Sequence, residues 1–98
     1  MTSIVVLRPE AVADLLAARE WYDRQRIGLG GEFLEAVDGL LVQVGNSPEM
    51  HAAEFKEVRR GKVRRFPYVA YYRILTDRVE VLGVLHGNRD PRNWQSRT

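Results

Sequence analysis

The chain has 98 residues, no cysteine, two histidines, 45% hydrophobic and 29% charged residues, and a formal net charge of +2. Those values describe one small globular domain spanning residues 1–98, able to bury only roughly 60 to 65% of the surface its unfolded form exposes. The lack of cysteine excludes a disulfide framework, a thiolate nucleophile and any Cys-ligated zinc or iron–sulfur site.

In chain order, the apolar run at residues 3–7 reads as a short strand, too brief for a signal-peptide core, and nothing approaches the roughly 20 apolar residues of a membrane span. A soluble, cytoplasmic protein is expected. Arg8-Pro9-Glu10 is a helix start, because proline tolerates the first helical turn and a carboxylate there favours the helix dipole. Ala11, Leu15, Ala18 and Tyr22 recur at helical spacing, with Val12 and Leu16 widening the stripe, and the helix should run to about Arg26. The glycines of Gly28-Leu29-Gly30-Gly31 break it. A second stripe, Phe33, Val37, Leu40, Leu41 and Val44, ends at Gly45-Asn46-Ser47-Pro48, so the two helices form a hairpin.

The glycines are no phosphate loop, since they follow a helix and precede Glu32 instead of a Lys-Ser/Thr pair. A DNA-reading second helix is disfavoured by Glu32, Glu35 and Asp38 on its exposed face. Beyond Phe55 the pattern turns to period two, with strands expected over residues 56–66, 69–75 and 78–86, joined as an antiparallel meander. Gly61 reads as a bulge or as the true start of its strand. In the last strand Val79, Val81 and Leu85 are expected on one face and Leu82 and Val84 on the other. Such a strand is central, with one face on the helices and the other under the tail or a partner.

Charge is unevenly shared. Residues 1–50 hold four arginines against eight carboxylates, whereas residues 51–98 hold eleven cations against five carboxylates, and only two of the chain's fifteen cations are lysine. Arginine holds carboxylates and phosphates bidentately and stacks on aromatic faces, so Arg64, Arg65, Arg73, His86 and Arg89, with Tyr68, Tyr71, Tyr72 and Trp94, form the one constellation with chemical potential. It suits a phosphodiester, an acidic partner segment or simply a solvated strand face. Neither His51 nor His86 has a second ligand at helical spacing, and no nucleophile signature surrounds the serines, so no metal, cofactor or serine chemistry is expected.

The string Val63-Arg64-Arg65-Phe66-Pro67-Tyr68-Val69-Ala70-Tyr71-Tyr72-Arg73, followed by Asp77 to Pro91 with its His86-Gly87-Asn88-Arg89-Asp90-Pro91 ending, resembles the carboxyl half of the RelE/ParE superfamily of toxin–antitoxin toxins, the ParE branch above all. Pro9, Ala13, Leu16, Trp21-Tyr22, Gly28, Phe33 and Pro48 fit its helix hairpin. The resemblance implies an α+β fold of order β-α-α-β-β-β, a helix hairpin on a small, mainly antiparallel sheet. It also implies a type II toxin, neutralised by a cognate antitoxin in a heteromeric complex, which inhibits DNA gyrase and meets operator DNA only through the antitoxin. The alternative within the superfamily is a ribosome-dependent mRNA endonuclease, for which Arg65, His86 and Arg89 would serve; a third is a non-toxic partner-binding homologue. Val69 stands where that endonuclease branch has an arginine, and Gln95, beside Trp94, where it has a tyrosine. These departures favour a non-catalytic inhibitor whose partner-binding and target-binding residues are Arg64, Arg65, Arg73, His86, Arg89, Arg92 and Trp94.

Overall fold

A computed structural model describes residues 2–98. The elements are β1 (Val5–Leu7), α1 (Pro9–Gln25), α2 (Leu29–Asn46), a 3-10 turn (Pro48–Met50), β2 (Ala53–Phe55), β3 (Val58–Lys62), β4 (Tyr68–Ile74), β5 (Val79–His86) and α3 (Arg92–Gln95). The sheet order is β1-β5-β4-β3-β2, and β1 lies parallel to β5 while the other neighbours are antiparallel. The expected β-α-α-β-β-β core is present, with a further strand, β2, and a short terminal helix, α3, added to it.

The second helix starts within the glycine run, at Leu29 and not near Phe33. Gly28 turns the chain at φ +89°, a left-handed conformation that suits glycine. Gly30 then lets α2 close onto α1: a Cβ there would lie 2.5 Å from the Arg19 carbonyl oxygen. The Gly30 N–H, a first-turn donor without an intrahelical acceptor, donates to Asp23 Oδ1 at 2.8 Å. Along α1 only the Ala11–Ala18–Tyr22 face is buried, with Leu15 packed at its margin. Val12 and Leu16, expected to widen the stripe, point outward, Leu16 being 56% exposed.

The helix-side core joins Tyr22, Phe33, Val37, Leu40 and Val44 to Phe66, Ala70, Tyr72, Val79, Val81 and Val84. The Tyr72 hydroxyl donates to the Pro48 carbonyl (2.8 Å) and accepts from His51 Nδ1 (3.1 Å), so this histidine anchors the segment before β2. Gly61 is an ordinary ladder residue opposite Ala70, needed because a Cβ would meet the His51 ring and Leu40 at 3.1 Å.

The last strand departs from simple alternation. Tyr71 pairs with Gly83 but Tyr72 with Val81, so Leu82 is an extra residue in β5. The extra residue reverses the alternation beyond it. Val84 therefore joins Val79 and Val81 on the helix side, and Leu85 joins Leu82 on the opposite face, the reverse of the sequence expectation. That opposite face is covered by the tail: Trp94, 5% exposed, stacks on Tyr71 at 4.5 Å and meets Phe55 edge-on at 5.7 Å.

Candidate binding cleft

Arg8-Pro9 turns the chain out of the sheet into α1 at the end of β1, leaving the edge of β5 beyond Val81 without a neighbouring strand. Side chains take its place. The Val84 N–H donates to Asp14 Oδ2 at 3.0 Å, and the Leu82 carbonyl accepts from Arg97 Nη1 at 3.2 Å. Arg97 also grips Asp14 bidentately, Nη1 to Oδ2 at 2.6 Å and Nη2 to Oδ1 at 3.2 Å. Bidentate pairing raises the Arg97 pKa above its ordinary value despite partial burial. Glycine stands at position 83 because a Cβ would collide with that guanidinium.

Past this plug, α1, β4 and β5 enclose a cleft of about 260 Å³ lined by Asp14, Ala17, Ala18, Trp21, Arg24, Tyr68, Val84, Leu85, His86 and Arg89. The His86 ring meets Tyr68 edge-on, centroids 5.6 Å apart. His86 Nδ1 accepts from the Asn88 N–H at 3.1 Å, which leaves Nε2 as the donor of the neutral imidazole. Burial raises the Tyr68 pKa, and the nearby Arg89 charge offsets only part of that rise, so the phenol stays a protonated donor. Arg24 is paired with Glu20 at 2.9 Å on the exposed surface of α1. Arg89 is exposed, and its guanidinium has no hydrogen-bond or salt-bridge partner among the described residues. Arg89 also lines a second cleft of about 230 Å³ with Arg60, Tyr71 and Trp94, so it stands between two recesses. Donors of this kind around an aromatic wall suit an anion; proton transfer would fall to His86 alone.

The other sequence-predicted residues do not line this cleft. Arg65 adopts φ +70° in the β3–β4 loop and donates to Glu32 Oε1 of α2 at 3.0 Å. Glu32 also accepts from Arg26 at 3.1 Å. Its carboxyl is held below its ordinary value of 4.5, first by the Arg65 hydrogen bond and then by the Arg26 charge. Because the folded-state pKa is depressed, this contribution to stability is present above the unfolded pKa and lost as pH falls through the folded one. In Arg65→Gln the Glu32 carboxyl, followed by NMR titration, is expected to shift upward toward 4.5; an unchanged midpoint would show that the contact does not form in solution. Arg64 is exposed. Arg73 pairs across the sheet with Glu80 at 2.9 Å. Arg92 holds Asp90 at 2.6 Å. Trp94 is in the core described above.

Of the seven residues, the cleft thus brings His86 and Arg89 together, with Trp94 one recess away on the far side of Arg89. Sequence reasoning missed Trp21, Arg24 and Asp14 as wall residues. Trp21 carried a signal, because a large aromatic off the buried stripe of α1 stays half exposed even though its ring meets Tyr22 edge-on.

The family model described as the ParE toxin of the type II toxin–antitoxin system, parDE, matches residues 5–91. A solved structure titled as the chromosomal ParDE TA system from P. aeruginosa is similar, with a TM-score of 0.77 at 17% identity, over 87% of this chain and 96% of that one. At that identity the likeness shows the fold. A search of curated proteins finds no relative by sequence. With the family model spanning nearly the whole domain, β1 through the start of the tail, the chain belongs to the ParE toxin family of type II toxin–antitoxin systems.

Proposed function

We propose that this ParE-family chain acts by binding, with DNA gyrase as its target, and that a cognate antitoxin neutralises it in a heteromeric complex. Both encounters take place in the cytoplasm, and operator DNA is contacted only through the antitoxin. No helix among the described residues is long and apolar enough to cross a membrane, which suits that setting. The observation that carries the reading is that Arg65, which a nuclease would combine with His86 and Arg89, is engaged elsewhere and does not line their cleft. Arg65 is engaged by Glu32 on α2, while His86 and Arg89 sit in the cleft beside α1. Cleavage through a 2′-OH needs a base and charge stabilisation converging on one phosphate. A binding surface needs only exposed arginine and aromatic anchors, which Arg89 and Trp21 supply.

In a supercoiling assay with purified gyrase, the wild-type chain is expected to inhibit, and Arg89→Ala to raise the inhibitory concentration about tenfold, the cost of removing one anchoring arginine. Full inhibition by Arg89→Ala would place the contact elsewhere. The endonuclease reading keeps one observation in its favour, the shared position of His86, Tyr68 and Arg89 in one cleft.

A further inference from the structure

We infer that the cleft between α1 and β5 is a receptor for a single carboxylate side chain on an acidic-and-apolar segment of a protein partner. This deepens the reading of the chain as a binder and rests on it. Three observations carry the inference. First, the hydrogen-bonding groups at the mouth are donors: the Tyr68 hydroxyl, the His86 imidazole and the guanidinium of Arg89, which is unpaired among the described residues. The one carboxylate on the inner wall, Asp14, already holds Arg97 and the Val84 N–H, so it neither supplies nor repels a ligand strongly. Second, Trp21 is 49% exposed beside these donors, an aromatic wall against which an aliphatic neighbour of the carboxylate can pack.

Third, the surroundings favour one anion over a chain of them. Glu20 holds Arg24 at 2.9 Å on the α1 surface, so of the two arginines lining the cleft Arg89 alone is unpaired among the described residues. An RNA backbone, with a charge at every nucleotide, would meet a single free guanidinium there. A peptide with one carboxylate flanked by apolar residues places its charge at Arg89 and its hydrocarbon on Trp21. Electrostatic complementarity of this kind selects partners by penalising the wrong one.

The test is an NMR titration of the full chain with a terminally blocked pentapeptide that carries one central glutamate between leucines, against tetrauridylate, whose backbone carries a charge at each linkage. The peptide is expected to shift the Trp21 indole N–H and the His86 ring signals. Arg89→Gln is expected to weaken its binding about tenfold, whereas Lys62→Gln, an equal loss of charge at an exposed position outside the cleft, leaves it within about twofold. Tighter binding of tetrauridylate at the same signals, equal losses from the two variants, or no shift with peptide would each overturn the inference. Absent peptide shifts in a protein that still inhibits gyrase overturn the carboxylate site while leaving the binder reading intact. Arg89-dependent peptide shifts in a protein that does not touch gyrase support the site and sink the gyrase assignment.

Discussion

Trp94→Ala is expected to lower unfolding stability by about 3 kcal/mol, within the range for truncating a buried aromatic. The indole covers the face formed by Val58, Val69, Tyr71, Leu82 and Leu85, and its stack on Tyr71 at 4.5 Å is what holds the four-residue α3 against the sheet. Without it, that face opens to water. A domain of this size has a total stability of about 5 to 10 kcal/mol, so the loss is a large share of the whole. Urea denaturation should show a lower midpoint with little change in slope, and Trp94→Phe should restore much of the difference. A loss below about 1 kcal/mol would show that the indole is dispensable to the core and available to a partner, as the sequence alone suggested.

Asp14→Ala is expected to cost about 2 to 3 kcal/mol. Removing one partner of a buried ion pair typically costs about 3 to 5 kcal/mol. The lower figure applies because the Arg97 and Asp14 side chains remain 19% and 11% exposed, so water reaches the orphaned guanidinium. The Val84 N–H also loses its acceptor. Arg97→Ala should cost less, about 1 to 2 kcal/mol, since Asp14 would still accept from Val84. The double variant should fall short of the sum by about 1 kcal/mol or more, the signature of a direct contact. Strict additivity in that cycle would mean that the tail does not plug the β5 edge in solution.

Much of this architecture is legible in the residues, and the failures have specific causes. The helix hairpin follows from the spacing of Ala11, Ala18 and Tyr22 and of Phe33, Val37 and Val44, which is also the set the core buries. β2 was invisible because its hairpin turns at Lys56 and Glu57, with φ +47° and +64°, conformations that sequence reading expects from asparagine or glycine. The exchange of Val84 and Leu85 between faces hinges on a bulge at Leu82 that leaves no mark in an all-apolar strand. Gly30, read as a helix breaker, is inside a helix because Asp23 of the other helix supplies the missing acceptor, a contact of tertiary origin. The cleft was half legible. His86 and Arg89 stand close in sequence at the end of β5, but their neighbours Trp21 and Arg24 come from α1, more than sixty residues earlier, and only the parallel placement of β1 beside β5 brings them together.

That Arg65 is held on α2 while His86 and Arg89 face the cleft underlies the central claim, that this ParE-family chain works by binding and not by cleaving RNA. Its most direct test runs gyrase supercoiling and translation-coupled mRNA cleavage side by side with the wild-type chain and His86→Ala. Inhibited supercoiling and intact mRNA are expected with both proteins. Cleaved mRNA that becomes intact in His86→Ala, with gyrase untouched by either, would contradict the claim.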